Sequence, residues 1–190
     1  MTTTLYSDFN CPFCYVTEER LRALGAVDLI AWRGVEHAPE LPAPLAPAGL
    51  LLALELPVEL HTVAQLAPEV PIAAPAGKPN TAAAIALAAA AERVDPARGA
   101  ELRRALYQAF WVHGRDLSDA SVLAELTAAA GLPALEPGPV DEQLVSAWHA
   151  GWQASGMGAV PLLVRDDGDL LFGLADHAAL RTFLARPARG

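Results

Sequence analysis

Along this chain the spacing of apolar positions changes twice, setting two strand-like ends apart from a long helical middle. Thr4-Leu-Tyr-Ser7 alternates polar and apolar residues as a strand does. From Cys14 to Leu24, Val16, Leu21 and Leu24 fall at helical spacing, and Gly25 supplies a stop. Val27 to Trp32 alternates again and predicts a second strand. Two strands flanking one helix imply a mixed or parallel sheet.

The text from Pro39 to Pro79 is different. It holds nine of the chain's 16 prolines, which predicts turns and short pieces around one helix near Ala48–Leu54. Gly77-Lys-Pro-Asn80 marks the next boundary. Thr81 to Val94 is so rich in alanine that helix propensity outweighs its weak amphipathic pattern. Glu101 to His113 predicts a firmer helix, with Leu102, Leu106, Phe110 and His113 along one side. Ser118 or Ser121 can cap a helix ending near Ala130, before Gly131. Asp141 can cap another, in which Leu144, Trp148 and Trp152 recur every fourth residue. That stripe fits core packing, with an aromatic substrate surface as the competing use.

Sheet-like text returns at Ala159 to Val164. Asp167-Gly168 separates it from Leu170-Leu-Phe172, a hairpin signal. Asp176 can cap a last helix with Leu180, Phe183 and Leu184 on its apolar side. The economical architecture is one split α/β domain interrupted by a helical lid.

Composition narrows the functional classes. Apolar residues make up 53% of the 190, ample for a sizeable core. Thirteen Lys or Arg oppose 22 Asp or Glu, a net charge of -9, and no basic patch suggests nucleic-acid binding. Apolar runs are broken before they could span a bilayer, so no membrane partner is expected. The first residues lack a basic and then apolar leader, and a cytoplasmic location is the expectation.

Chemistry concentrates at Cys11-Pro-Phe-Cys14, the only two cysteines. A helix start at Cys11 would aim unpaired N–H groups at its sulfur and favour the thiolate, making Cys11 the expected nucleophile. Cys14, about one turn on, can resolve a mixed disulfide. Pro12 suits the first helical turn, and Phe13 can shape the collar around the sulfurs as a substrate contact or as packing. Structural metal binding needs a second ligand pair that is absent, and His37, His61, His113, His149 and His177 are dispersed, so no metal ligand is assigned. An incidental pairing of cysteines is the bland alternative. Val160-Pro161 precedes the last sheet segment. A cis bond there could bring the Val160 backbone beside the cysteines to align an extended substrate, whereas a trans proline opening a strand is the simpler alternative.

Three stretches carry a family resemblance: Tyr6-Ser-Asp-Phe-Asn-Cys-Pro-Phe-Cys-Tyr15, Gly114-Arg-Asp-Leu-Ser118 and Gly156-Met-Gly-Ala-Val-Pro161. Together they resemble the DsbA-like thioredoxin superfamily, especially its FrnE-like cytoplasmic branch. The resemblance implies an α/β thioredoxin-like mixed sheet with a large inserted helical domain. Segments 1–38 and 156–190 would form the thioredoxin-like domain, and 39–155 the connecting region and helical insertion. It further implies thiol-disulfide oxidoreductase activity on a protein or small-molecule thiol or disulfide. In that family Cys11 matches the nucleophile, Cys14 the resolving cysteine and Pro161 the cis-proline.

Related 2-hydroxychromene-2-carboxylate isomerases use glutathione and generally carry serine where this chain has Cys11. A glutathione-dependent isomerase or transferase is therefore the alternative function, and a redox-inactive binding scaffold the third. Glutathione is expected as a substrate or redox partner rather than a tightly bound cofactor, with Asn80 and Asp176 in regions that could approach it. Phe9, Phe13, Trp148 and Trp152 are candidates for an apolar substrate surface. A homodimer through the helical insert is a further expectation.

Overall fold

The computed structural model describes residues 3–185, so the outermost positions of the two expected thioredoxin-like segments, 1–2 and 186–190, lie outside the described residues. Strand β1 (Thr3–Ser7) leads into helix α1 (Pro12–Ala23) and strand β2 (Ile30–Gly34). Five helices follow: α2 (Leu50–Leu66), α3 (Ala82–Val94), α4 (Pro96–Trp111), α5 (Ala120–Ala129) and α6 (Pro139–Ala154). Strands β3 (Leu162–Arg165) and β4 (Leu170–Phe172) and helix α7 (His177–Ala185) complete the order.

The sheet runs β2-β1-β3-β4. β1 pairs parallel with β2, Ser7 opposite Gly34, and antiparallel with β3, Tyr6 opposite Leu162. β4 closes the edge antiparallel to β3 through the Asp167-Gly168 turn, where Gly168 takes φ +84. This is the thioredoxin-like mixed sheet, flanked by helices, with a large helical insertion between β2 and β3. β1 lies between two partners, and Leu5, Tyr6 and Ser7 are all buried. The insertion does not keep its apolar faces to itself. Leu102, Leu106, Tyr107 and Phe110 of α4 join one core with Leu5, Phe9 and Trp32.

Several boundaries differ from the sequence expectations, each for a local reason. Helix α1 opens at Pro12, whose missing N–H suits a first helical position. Residues Val27–Leu29 form a 3-10 turn closed by a bond from Leu29 N to Ala26 O, so the second strand starts only at Ile30. The short helix expected near Ala48–Leu54 begins at Leu50 and continues through Pro57 to Leu66. A proline inside a helix costs about 3 kcal/mol. Burial of Leu56 and Val63, with Leu52 and Leu60 packed against the core, offsets that cost.

Helix α4 starts five residues before the expected Glu101. Asp95 accepts bonds from the N–H groups of Ala97 and Arg98, and Pro96 takes the first helical position. Its apolar side holds Leu102, Leu106 and Phe110, whereas His113 lies past the helix end and is exposed. The cap of α5 is Asp119, which accepts from Ser121 N, while Ser118 bonds Asp116 instead. Asp141 sits inside the first turn of α6 and reaches back to the N–H of Gly138 at 3.0 Å. Asp176 caps α7 as expected, accepting from Ala179 N at 2.7 Å.

Helix α1 is fastened to α4 by charge. The nearly buried Glu18 and Arg103 meet at 3.3 Å, and Arg103 also pairs with Glu92 of α3. Glu19–Arg104 at 3.0 Å and Arg22–Glu101 at 2.9 Å flank them nearer solvent. Removing one member of a buried pair strands the other charge. Arg103→Ala is expected to lower unfolding free energy by about 3 kcal/mol or more, read from urea denaturation midpoints.

Candidate active site

β1 ends at Ser7, and the chain turns through Asp8, Phe9 and Asn10 before α1 begins. Cys11 occupies the residue just before the helix, in extended conformation, and its N–H donates to Asp8 O at 3.3 Å. Cys14 is the third residue inside the first turn. Both thiols are free; Cys11 is buried with 4% of its surface exposed and Cys14 with none. The sulfur of Cys11 lies 3.7 Å from the Val160 carbonyl oxygen, to which it donates as a thiol. Cys14 Sγ accepts from the backbone N–H of Asp8 at 3.5 Å.

Among the residues singled out from sequence, Cys11, Cys14 and Val160 therefore converge. The Val160–Pro161 peptide is cis, as is Ala43–Pro44. Pro161 stands just before β3, and its carbonyl accepts from Gly173 N at 3.0 Å, tying it to the end of β4. Phe13 is half-buried against the core. The other aromatic candidates do not form an open surface. Phe9 is fully buried, its ring tilted against Trp32 at 5.4 Å and Tyr107 at 4.7 Å, and Trp148 packs edge-on to Trp32 at 5.9 Å. Trp152 donates from Nε1 to Ala159 O at 3.1 Å, bracing the segment that leads to Val160. Asn80 bonds Pro39 O, Leu41 O and the Ala82 N–H. It and the capping Asp176 are both spent on local structure.

The sulfurs differ in charge preference. Burial pushes the Cys11 thiol up, but this is outweighed by a bond from the Cys14 thiol, the positive field of His37, the Cys14 backbone N–H and Lys78. Cys11 ends below its ordinary value. The Cys11 side chain makes no cap bond to the start of α1, but the Cys14 N–H at that helix end favours its negative charge. Burial first, then the bond donated to Cys11 and that sulfur's negative charge, hold Cys14 well above its ordinary value. Negative charge is thus favoured on the Cys11 sulfur and disfavoured on that of Cys14. Ser7 Oγ and Tyr107 OH, bonded to each other at 2.6 Å, lie behind Cys14, and burial raises the Tyr107 phenol well above its usual range.

Sequence reasoning missed the polar frame of this site. Asp8, completely buried, receives Thr81 Oγ1 at 2.6 Å, Asn10 N at 3.4 Å, and both the N–H and Nδ1 of His37, at 2.9 and 2.8 Å. Lys78, only 6% exposed, pairs with Glu59 of α2 at 2.6 Å. One signal was available. The chain uses arginine 12 times and lysine once, at Lys78. His37 had no comparable mark, because its partner is 29 positions away. Among the described residues, no group of three or more His, Cys, Asp or Glu is arranged to hold a metal. No helix there is long and apolar enough to cross a membrane.

The family model of the DSBA-like thioredoxin domain matches residues 2–185. The chain belongs to that family. A Cys-x-x-Cys pair in a DSBA-like fold is consistent with thiol-disulfide chemistry. Among solved structures, a probable DsbA oxidoreductase from Streptomyces coelicolor is 22% identical, with a TM-score of 0.79 over 100% of this chain and 93% of that one. The cytosolic disulfide reductase DsbM from Pseudomonas aeruginosa, with GSH, is 22% identical, with a TM-score of 0.70 over 97% of this chain and 99% of that one. A 2-hydroxychromene-2-carboxylate isomerase is 20% identical, with a TM-score of 0.67 over 96% and 92% of the two chains. At these identities the likeness is one of fold. No curated protein matches the chain.

The unequal thiols of this DSBA-like site give a direct expectation. Limiting iodoacetamide at pH 7 should label Cys11 and spare Cys14, with half-maximal labelling of Cys11 below the ordinary thiol range. Peptide mass spectrometry across a pH series reads both.

Proposed function

We propose that this protein is a thiol-disulfide oxidoreductase in which Cys11 attacks and Cys14 resolves. The supporting observation is the Cys-x-x-Cys pair at the start of α1 in a DSBA-like fold, with the Cys11 sulfur 3.7 Å from the Val160 carbonyl oxygen and Cys14 fully buried, and with charge favoured on Cys11 and disfavoured on Cys14. Cys11 thiolate attacks one sulfur of a substrate disulfide. The substrate S–S bond breaks, a Cys11–substrate disulfide forms, and the departing thiolate takes a proton. Cys14 then loses its proton and attacks the Cys11 sulfur, releasing the second substrate thiol. Two electrons have passed to the substrate, and an external thiol must reduce the Cys11–Cys14 disulfide to complete a cycle.

The substrate is a protein or small-molecule disulfide, or a dithiol when the reaction runs backwards. Glutathione is a fitting substrate or reductant, a reading supported by the DsbM structure with GSH. Val160 would align the substrate backbone, with Pro161 fixing that segment and Phe13 bordering the sulfurs. The same proposal places the chain in the FrnE-like branch and in the cytoplasm, and assigns 1–38 and 156–190 to the thioredoxin-like domain and 39–155 to the connecting region and helical insertion. A homodimer belongs to it and is read by sedimentation equilibrium.

Insulin-disulfide reduction with a glutathione or dithiol reductant tests the activity. Wild type should turn over, Cys11→Ser should lose at least about a hundredfold, as expected for loss of an essential nucleophile, and Cys14→Ser should accumulate mixed disulfides visible by mass spectrometry. Equal rates for all three proteins would reject these roles. Glutathione-dependent isomerisation retained by the double serine variant would favour the isomerase alternative.

A further inference from the structure

We propose that the Asp8–His37 pair positions charge at Cys11, with Asp8 as anchor and His37 as the cation it holds. The inference rests on Cys11 being the attacking thiol and adds the residues that prepare it.

The geometry is continuous from the sheet to the sulfurs. The β1–β2 pairing, Ser7 opposite Gly34, is extended by a bond from Val35 N to Ser7 O at 3.0 Å. That extension sets residues 35–37 alongside Asp8. The Asp8 carboxylate then takes both the backbone N–H and the ring Nδ1 of His37 through one oxygen, Oδ2. Two bonds to a single atom fix where the imidazole stands. Oδ1 is occupied by Thr81 and Asn10, so the carboxylate cannot swing away. The backbone of the same residue holds the cysteines, its carbonyl receiving Cys11 N and its N–H reaching Cys14 Sγ. Asp8 thus holds His37, the Cys11 backbone and the Cys14 sulfur in one frame.

The imidazole is the part of that frame able to change charge near neutrality. Its side chain is 26% exposed, so protons can exchange with solvent. Burial would strip its proton, but the Asp8 bond, the Asp8 charge and the Cys11 sulfur together hold His37 above its ordinary value. Lys78, in the loop before α3, opposes that protonation and is itself paired with Glu59 of α2. Glu36, adjacent to His37 in the chain, is held protonated to higher pH by burial and by the Asp8 charge. His37 and Lys78 both favour negative charge on Cys11, and Lys78 has its own carboxylate partner.

An electrostatic coupling is reciprocal, and that makes the proposal testable without any substrate. In His37→Gln the midpoint for iodoacetamide labelling of Cys11 should rise. Labelling below that midpoint should slow by about three- to tenfold, the change in thiolate fraction from half to one pKa unit. In Cys11→Ser the imidazole midpoint of His37, followed by nitrogen-proton NMR, should fall. Asp8→Asn should lower the same imidazole midpoint by removing its anionic partner. His37→Lys, which restores a cation, should recover most of the labelling rate.

An unmoved Cys11 midpoint in His37→Gln, or an unmoved His37 midpoint in Cys11→Ser, would overturn the proposal and leave the helix start as sufficient cause. If Asp8→Asn does not fold, these two variants still decide the matter. Both readouts work on resting protein. Disulfide exchange by wild type with unmoved midpoints would sink this inference alone, whereas moved midpoints without exchange would sink the oxidoreductase reading and leave the coupling intact.

Discussion

A carboxylate sealed from water must have its oxygens satisfied, and at Asp8 that requirement organises the molecule. A bare buried carboxylate would cost several kcal/mol. Its donors come from the turn before α1, from the segment beyond β2 and from the threshold of α3, at Asn10, His37 and Thr81. Three separate stretches of chain must therefore meet at one point for the charge to be tolerated. That point is three residues from Cys11. The polar knot is thus both a condition on the fold and the local environment of the chemistry.

The helical insertion contributes to the same neighbourhood. Trp111 of α4 donates to the carbonyl of Phe9, directly beside the Asp8 turn, at 2.8 Å. Tyr107 touches Phe9 and Tyr15 and closes the space behind Cys14 through Ser7. Arg20, on α1, is nearly buried and bonds Glu69, the Leu66 carbonyl at the end of α2 and the Ala175 carbonyl before α7. Helix α1 is consequently gripped on several sides. The insertion supplies part of the wall and floor of the site.

How much of this was legible in the sequence depended on range. The strand and helix at the front, the hairpin around Gly168 and the cap at Asp176 are decided by residues within a few positions of one another, and pattern reading found them. Boundaries slipped where a short-range signal competed with a tertiary one. Pro57 reads as a break until burial of Leu56 and Val63 carries the helix past it. Asp95 and Pro96 mark the start of α4, but its apolar spacing becomes regular only from Leu102 onward. At the site, the thiols were visible because their separation is local. His37 and Thr81 meet Asp8 across 29 and 73 positions, and no periodicity encodes such a meeting. Lys78 left a compositional trace only.

The order of the strands also bears on how the protein comes into being. β1, the earliest of the four strands in the chain, sits inside the sheet, and its antiparallel neighbour β3 arrives more than 150 residues later. During synthesis the Cys11-Pro-Phe-Cys14 turn, β2 and the helical segments can emerge while one edge of β1 and the Val160 side of the sulfurs are still missing. Contacts this distant are slow to form and leave apolar surface uncovered until they do. A nascent chain would therefore carry an unshielded dithiol until β3 and β4 have been made, and only then complete the surroundings of its sulfurs.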